Sequence, residues 1–283
     1  MSGCGRQSAV ARRSRKGEEG GMSEYVRTVI SLGAGVQSSA MLLMSDRRLI
    51  ERADYAVFSD TQAEPKEVYE WLNFLKSLVD IPVHIVTKGS LEDDMFNGKH
   101  FASVPFFSKM PDGRIGMLRR QCTYEYKIQP MHEFVRREIG CKKGERVKKY
   151  GRVKMMIGIS RDEVQRMKPS REKWIDHEWP LIDLSYRRED CIRYVEAKTG
   201  RTPPRSACIF CPYHNDKEWD RLNKNDPESM FRAIVYEKKL QKLTRWKGAA
   251  YLHRSCEPLE KVKFSNTEQI DAFGNECEGM CGV

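Results

Sequence analysis

The sequence predicts an α/β fold in which a doubly wound parallel sheet is followed by a mostly helical part that contains cysteines. Three observations lead to this prediction. Apolar runs that suit buried strands alternate with stretches of helical periodicity along the first half of the chain. One of these strands ends in a glycine-rich turn that leads directly into a helix. Finally, 40% of the 283 residues are hydrophobic, which provides enough apolar material for a large core.

The predicted elements follow one another as repeated strand–helix–strand units. Buried strands are predicted at Val26–Leu32, Tyr55–Ser59, Pro82–Val86 and Met155–Ile159, and a short apolar element at Pro180–Leu184. Helices are predicted at 38–44, Glu67–Val79, Pro130–Ile139, Asn215–Asn223 and Glu228–Thr244. Because parallel strands need crossover connections, this alternation predicts helices on both faces of the sheet.

Two segments between these elements are irregular. Residues 91–118 are interrupted by glycine and proline, and we expect a loop or lid over a site. The segment Lys142–Lys154 carries seven basic side chains and one acidic side chain. This run indicates either a solvated hairpin or a contact for phosphates.

The chain divides into three parts by composition. Residues 1–21 carry several arginines among glycine and serine and are predicted to form a disordered basic tail. Whether this tail belongs to the native protein is open, because a ribosome-binding sequence ahead of Met22 would also encode Gly17–Gly21. The sheet domain is predicted at 22–190, and a helical region with the cysteine motifs at 191–283.

Charge and hydropathy narrow the class of protein. No apolar run approaches the roughly 20 residues that span a bilayer, and no apolar signal segment follows the basic N-terminus, so we expect a cytoplasmic protein without a membrane partner. The formal net charge of +10 favours an anionic ligand, either a nucleotide or a nucleic acid. In a reducing compartment, the nine cysteines are candidates for ligands, nucleophiles or core residues rather than disulfides.

The most informative segment is the glycine-rich turn after the first strand. It reads Gly-Ala-Gly-Val-Gln-Ser-Ser from Gly33 to Ser39. Glycines let backbone amides approach an anion closely, and the N-terminus of the following helix adds N–H groups and a positive dipole end. The segment lacks the Gly-Lys-Ser/Thr of a Walker loop and the third glycine of a dinucleotide-binding loop. It therefore predicts a phosphate-binding loop of another type.

Residues Gly33–Ser39 resemble the pyrophosphate loop (PP-loop) of the adenine nucleotide alpha-hydrolase superfamily, whose usual form is Ser-Gly-Gly-x-Asp-Ser-Ser/Thr. This chain departs from that form at Gly33, Ala34 and Gln37. Four further segments, in the same order, resemble those of phosphoadenosine phosphosulfate (PAPS) reductases: 58–64, 120–123 with Lys127 and Pro130, 158–163 with Arg166, and 180–183. Over roughly 26–190 the chain is similar to a PAPS reductase-like member of this superfamily, of the kind found in phages, mobile elements and CRISPR accessory loci.

This resemblance implies a Rossmann-like fold of the HUP type and a site for ATP or PAPS, with Mg²⁺. Gln37, Arg161 and Cys277 are the implied catalytic residues. The implied nucleotide contacts are Ser31, Gly33, Ala34, Gly35, Val36, Gln37, Ser38, Ser39, Ser59, Asp60, Thr61, Glu64, Gly158, Arg161, Asp162, Glu163 and Arg166.

A Cys-x-x-Cys unit formed by Cys208 and Cys211 supplies half of a tetrahedral metal site. With Cys122 and Cys256, these residues could ligate a [4Fe–4S] cluster, as in the sulfonucleotide reductases that carry one. Zinc held by Cys208, Cys211 and either His214 or another cysteine is one alternative, and the absence of any metal is the other.

Cys277 lies in a Glu-Cys-Glu sequence near the C-terminus. It resembles the tail motif of PAPS reductases, whose cysteine attacks sulfur and is then resolved by a thioredoxin-like partner. Its glutamate neighbours do not activate a thiolate, so any activation must come from arginines elsewhere in the fold. A nucleophilic role and a role with Cys281 as ligands or as a redox pair both stay open.

Three functions are compatible with the sequence. The first is an enzyme that cleaves the α–β phosphate bond of ATP and adenylylates an acceptor, including for sulfur transfer onto nucleic acid. The second is a true PAPS reductase that uses Cys277. The third is a non-catalytic nucleotide-binding accessory of a nucleic-acid complex of the CRISPR type, supported by the basic tail and by Lys142–Lys154.

Overall fold

The fold is organised around one five-stranded sheet. The computed structural model describes residues 25–97, 104–244 and 246–264. The strands are β1 Tyr25–Leu32, β2 Tyr55–Asp60, β3 Val83–Thr87, β4 Phe107–Lys109, β5 Ile115–Met117, β6 Arg152–Ile157, β7 Ile175–Glu178 and β8 Ala249–Tyr251. The helices are α1 Val36–Asp46, α2 Lys66–Leu78, α3 Leu91–Phe96, α4 Gln129–Glu138, α5 Pro180–Asp183, α6 Arg188–Thr199, α7 Asp216–Asn225 and α8 Pro227–Gln241. A π-helical turn spans Thr123–Ile128, and 3-10 turns span Val147–Tyr150, Arg161–Arg166 and Leu259–Lys261.

The strands of the large sheet pair in the order β3-β2-β1-β6-β7, and every pair is parallel. The chain builds outward from β1 through β2 to β3, and then returns to the other side of β1 to add β6 and β7. The predicted doubly wound α/β fold is therefore confirmed. The direction of winding changes between β1 and β6, which is the place where folds of this kind bind their ligands.

Both faces of the sheet are covered. Ile30 of β1 packs in a core with residues of α1, α2 and α6, whereas its neighbour Val29 packs on the opposite face with residues of α4. Strands that are buried on both faces consist of continuous apolar runs rather than alternating ones. This explains why the sequence located the central strands within a few residues.

A further apolar core holds the C-terminal part. Trp219 of α7 and Tyr236 of α8 pack together with Phe106, Tyr126 and Phe210, and the ring of Phe210 stacks on that of Tyr236. Beside this core, β4 pairs antiparallel with both β5 and β8. This small sheet ties a segment from the middle of the chain to the region near residue 250. Among the described residues, no helix has the length and apolar character that crossing a bilayer requires.

Several predicted segments need correction. Residues 91–118 do not form only a loop, because they contain α3 and the β4–β5 hairpin. The segment Lys142–Lys154 is not a hairpin, because it contains a 3-10 turn and enters β6. In β6 the basic residues Arg152 and Lys154 are only partly buried and alternate with buried Val153, so their charge concealed the first half of a strand whose apolar end was predicted from Met155.

Strand β7 and helix α6 were not predicted. The end predicted for the sheet domain, residue 190, falls within α6. Cys191 and Val195 of this helix are buried in the core that α1 also fills.

Candidate functional site

The glycine-rich turn connects the end of β1 with the start of α1. Ala34 is buried and has a φ of 56°, so a non-glycine residue adopts the left-handed conformation here. Gly35 is the N-cap of α1 and brings no side chain to bond the first amides of the helix. Ser38 Oγ accepts a hydrogen bond from the Gly33 N–H at 3.2 Å, which closes the turn on itself. The turn thus directs backbone amides and a helix N-terminus to the carboxyl edge of the sheet.

Ser38 and Ser39 of this segment are fully buried, and so is most of Ser31 in the preceding strand. Ser39 Oγ accepts a hydrogen bond from Trp71 Nε1 at 2.8 Å, and this indole belongs to α2. Ser31 is buried within β1, where it pairs with residues of β2 and β6. The Ser39 hydroxyl thus joins the start of α1 to α2.

Gln37 links the loop to two distant parts of the chain. Its side chain is completely buried, and its Nε2 donates to Ser160 Oγ at 3.3 Å and to Glu163 Oε2 at 3.2 Å. Its Oε1 accepts from the Arg188 guanidinium at 2.8 Å. Arg166 also donates to Glu163 Oε2. Gln37 therefore spans the switch point between β1 and β6, and acts as a positioning side chain for two arginines.

The segment after β6 supplies exposed charges next to this network. Arg161 and Asp162 are exposed, and Gly158 before them is buried. The Arg161 N–H donates to the Tyr186 carbonyl at 2.7 Å, and the Asp162 carboxylate accepts from the Arg188 N–H at 3.0 Å. These bonds fix the backbone that carries the two side chains.

The segment after β2 lies at the same carboxyl edge of the sheet, on the side of β1 opposite β6. Asp60 Oδ1 accepts hydrogen bonds from the Gln62 N–H and from the Tyr69 hydroxyl, both at 2.8 Å. Burial and the neighbouring Asp60 carboxylate raise the pKa of Tyr69. Ser59 Oγ donates to the Lys127 carbonyl at 2.8 Å. The predicted residues of this segment are therefore held in place, with Asp60 partly exposed at the strand end.

A buried ion pair lies behind this segment. Lys127 Nζ donates to Glu64 Oε1 at 3.0 Å, and the two side chains are only 7% and 1% exposed. Ser206 Oγ donates to the second carboxylate oxygen at 3.4 Å, and Cys208 Sγ lies 3.7 Å from the first. Thr61 Oγ1 lies 3.4 Å from the same sulfur. The pair therefore connects the end of β2 to the Cys-x-x-Cys segment.

Three of the four predicted metal ligands line one small pocket, which we call the cysteine pocket. Cys122, Cys208 and Cys211 surround it together with Thr61 and Lys127. Its remaining lining residues are Leu91, Val104, Pro105, Arg120, Thr123, Pro212 and Tyr213. Cys122 thus meets Cys208 and Cys211, which follow it by 86 and 89 residues in the sequence, beside the carboxyl end of β2.

Cys256, the fourth predicted ligand, does not line this pocket. It is buried in a tight turn, with a φ of 54° and its N–H bonded to the His253 carbonyl at 3.0 Å, and burial raises the pKa of its thiol. His214 Nε2 donates to the Cys208 carbonyl at 3.0 Å. Within the described ranges, no three His, Cys, Asp or Glu side chains are arranged to hold a metal ion. The pocket therefore brings together the thiols of Cys122, Cys208 and Cys211, and Cys256 does not join them.

Some predicted features lie outside the described residues. They are the basic tail at 1–21, Cys277 and Cys281. Sequence reasoning also missed two features that the structure places at the site. Arg188 lies 151 residues from Gln37 in the sequence. The only feature that could have indicated its role was a pair of arginines before a polar helix. The Lys127–Glu64 ion pair had no signal beyond the separate positions of its partners.

Comparison with known proteins adds one distant likeness. No family model matches the sequence, and no curated protein matches it. Among solved structures, the chain is similar to phosphoadenylyl-sulfate (PAPS) reductase from Candida auris, seen in a phosphate complex. The identity is 16%, the match covers 61% of this chain and 73% of that chain, and the TM-score is 0.40. A likeness this distant assigns neither family nor reaction, so the function has to be argued from the residues of the site.

Proposed function

We propose that this chain is an adenine-nucleotide-binding enzyme that attacks the α–β phosphate bond of ATP. One observation carries the proposal. The glycine-rich turn lies at the carboxyl end of the central strand, beside the point where the sheet reverses its winding, and Gln37 bonds it to the segment after β6. In open parallel sheets, this crevice with a helix N-terminus is where phosphates bind.

The side chains of the site fit the chemistry of adenylyl transfer. In that reaction, the acceptor oxygen or nitrogen forms a bond to the α-phosphorus, the bond to the bridging oxygen breaks, and pyrophosphate leaves. The amides of Gly33–Gly35 and the positive end of α1 would stabilise the charge that develops on the phosphate oxygens. Arg161 and Arg166 would add fixed cations at the same edge.

Mg²⁺ would neutralise the phosphates of bound ATP. Asp60 is the last residue of β2, and Asp162 lies in the 3-10 turn that follows β6. They offer the one or two carboxylates that Mg²⁺ takes from a protein when it also binds substrate phosphates. The Asp60 carboxylate is held by the Tyr69 hydroxyl, so its orientation is fixed before the nucleotide arrives.

The test is a product analysis with the full-length protein. The protein is incubated anaerobically with ATP and Mg²⁺, and nucleotides are separated by chromatography. With water as the acceptor oxygen, we expect AMP and pyrophosphate, and we expect their formation to fall in Arg188→Ala because Gln37 loses its partner. Arg193→Ala is the matched control, since Arg193 lies on the same helix, is 67% exposed and pairs with Asp190 at the surface. Formation of ADP and phosphate instead of AMP would contradict the proposal.

A second candidate function is favoured by the cysteine pocket. Three thiols lie beside Thr61 at the same edge of the sheet. A PAPS reductase transfers two electrons to the sulfate sulfur: a thiolate bonds to sulfur, adenosine 3′,5′-bisphosphate leaves, and a dithiol of the thioredoxin class releases sulfite and becomes a disulfide. PAPS with reduced thioredoxin tests this reaction. Release of sulfite that Cys277→Ser or Cys208→Ser abolishes would establish it, and no release would exclude it.

A further inference from the structure

An open groove of about 740 Å³ lies where α4 ends and the chain turns toward β6. The charged side chains of its lining are those of Glu133, Arg136, Arg137, Lys142 and Lys143. Because four of these five side chains are cationic, we call it the basic groove. It shares no lining residue with the cysteine pocket, and it contains none of the residues assigned to the nucleotide.

The basic groove lies at the edge of the sheet opposite the glycine-rich turn. The Lys127 carbonyl, just before α4, accepts a hydrogen bond from Ser59 near the carboxyl end of β2. After α4, the chain leads into Arg152 at the amino end of β6. Because the strands of the large sheet are parallel, α4 runs from the carboxyl edge to the amino edge, and the groove follows its end. A ligand in the groove is therefore separated from the nucleotide site by the length of the strands.

The structure divides the basic run Lys142–Lys154 into two groups. In β6, Arg152 and Lys154 form ion pairs with carboxylates from other segments of the chain. Lys142 and Lys143 are exposed, and neither forms an ion pair with a carboxylate in the part of the chain that the structure describes. The cations of β6 thus belong to the fold, whereas the two lysines of the groove are available to a ligand.

The carboxylates beside the groove have other partners. Glu145 accepts hydrogen bonds from the backbone N–H of Lys142 at 2.9 Å and from the Tyr150 hydroxyl. Glu133, on the wall of the groove, accepts from Gln129 Nε2 at 2.9 Å. The acids of this region therefore shape the loop and the helix, and they leave the lysine side chains unpaired.

The loop that carries the two lysines is held in one shape by its own hydrogen bonds. The Arg136 guanidinium donates to the Glu145 carbonyl at 3.1 Å, and the Glu145 N–H donates to the Lys142 carbonyl at 3.1 Å. Gly140 and Gly144 have φ angles of 82° and 89°, a left-handed conformation that favours glycine. A rigid loop loses little conformational entropy when its cations bind a ligand.

The kind of ligand follows from the charge and the shape of the groove. Cations collected on one surface repel one another, and a polyanion relieves this repulsion. The negative end of the α4 dipole accounts for the two arginines of the last helical turn, but not for the lysines beyond it. A membrane surface is usually contacted by a face that inserts apolar side chains, whereas this groove is lined by charged residues, glycines and a buried cysteine.

We propose that the basic groove binds the sugar–phosphate backbone of a nucleic acid. Lysine and arginine side chains are the usual partners of backbone phosphates, and such contacts position a nucleic acid without reading its base sequence. The inference goes beyond the proposed function, because it concerns a second ligand at the other edge of the sheet.

The experiment measures the binding of labelled oligonucleotides to the full-length protein by fluorescence anisotropy over a range of KCl concentrations. A single-stranded DNA, the RNA of the same sequence and the DNA duplex are compared, which distinguishes the sources of the phosphates. We expect the affinity to fall as the salt concentration rises, because binding releases counterions from the nucleic acid. Lys142→Gln/Lys143→Gln should lower the affinity for a single strand about tenfold at low salt, and should make the slope of log K against log[salt] shallower by roughly 1.4.

The matched control is Lys224→Gln/Lys238→Gln, which changes the net charge by the same amount. These two lysines are 64% and 53% exposed, and each forms an ion pair on the surface of the helical part. The control protein should bind oligonucleotides with the affinity and the salt dependence of the wild type.

Three results would overturn the proposal: no oligonucleotide binds, the groove variant keeps the affinity and slope of the wild type, or the control loses as much affinity as the groove variant. Binding to vesicles that contain phosphatidylserine, but not to oligonucleotides, would also overturn it and would assign the groove to a membrane surface. The readout is nucleic-acid binding rather than nucleotide turnover, so the proposal can fail or stand independently of the proposed function.

Discussion

The glycine-rich turn at Gly33–Ser39, which we call the glycine loop, and the cysteine pocket lie at the same edge of the sheet. They are built in different ways. The loop consists of consecutive residues between β1 and α1, and its shape is determined by local backbone geometry. The pocket combines Cys122 with Cys208 and Cys211, and Thr61 meets Cys208 across 147 residues. A short motif can therefore specify the shape of a turn by itself, whereas a set of thiols depends on how the C-terminal part packs against the sheet.

The two regions also differ in the charges that they bury. A neutral amide, Gln37, lies at the centre of the loop network and bonds charged partners from two elements. Beside the cysteine pocket, a lysine and a glutamate are both buried and neutralise each other. Removal of one partner should therefore lower the free energy of unfolding most beside the cysteine pocket. The following substitutions test this difference.

The largest effect is expected for Lys127→Met. This substitution leaves the Glu64 carboxylate buried without its cation, which should lower the free energy of unfolding by roughly 3–5 kcal/mol. Urea denaturation followed by circular dichroism measures the change. Lys66→Met is the matched control, because the Lys66–Glu70 pair is exposed and should contribute less than about 1 kcal/mol. Equal costs for the two variants would show that the buried pair has no special role.

The pH dependence of stability should follow His214, which lies behind the cysteine pocket. Burial lowers its pKa from 6.5 to about 4, so the unfolded chain binds more protons than the folded chain between these two values. Its stabilising contribution is present above pH 6.5 and falls by about 3 kcal/mol as the pH decreases to about 4. The pH slope of the unfolding free energy should be smaller in His214→Gln than in the wild type. Identical slopes in urea titrations would refute this assignment.

Gln37→Leu should have the next largest effect. The variant removes two donors and one acceptor from a buried network, and a cost of roughly 2–3 kcal/mol is expected because Glu163 and Arg188 lose a partner. Gln165→Leu on the exposed surface of the neighbouring turn is the control and should change stability by less than about 0.5 kcal/mol. If the Gln37→Leu protein is as stable as the control, the hydrogen bonds of Gln37 do not stabilise the fold.

The smallest effect is expected for Trp71→Phe, which removes the indole N–H that bonds Ser39 from beneath the loop. We expect a loss of roughly 1 kcal/mol. The double variant with Ser39→Ala should cost less than the sum of the two single variants, since both remove the same bond. Strict additivity in thermal unfolding would indicate that the two side chains do not interact.

The sequence predicted those parts of the molecule that are defined locally. The glycine loop was located because its conformation depends on adjacent residues, and the central strands were located because both of their faces are buried. Strand β7 reads Ile-Asp-His-Glu, in which only Ile175 is buried, so it has no apolar run to detect. Helix α6 buries only Cys191 and Val195, so its periodicity is weak.

Side-chain direction and long-range contacts were not predictable. The motif places Gln37 in the glycine-rich turn, but only the packed structure turns its amide toward Glu163 and Arg188 rather than outward. Similarly, cysteine spacing suggested Cys256 as a fourth ligand, whereas the tight turn after β8 holds it away from the pocket. Sequence spacing gives the candidates for such a set, and tertiary packing decides which of them meet.

Under the proposed function, the glycine loop binds the phosphates of an adenine nucleotide. The most direct test of this binding is isothermal titration calorimetry with α,β-methylene ATP and Mg²⁺, since this analogue resists cleavage of the bond in question. We predict saturable binding of one nucleotide per chain, an affinity about tenfold lower in Arg188→Ala, and no change in Arg193→Ala. The absence of saturable binding, or equal affinity in the wild type and Arg188→Ala, would contradict the account.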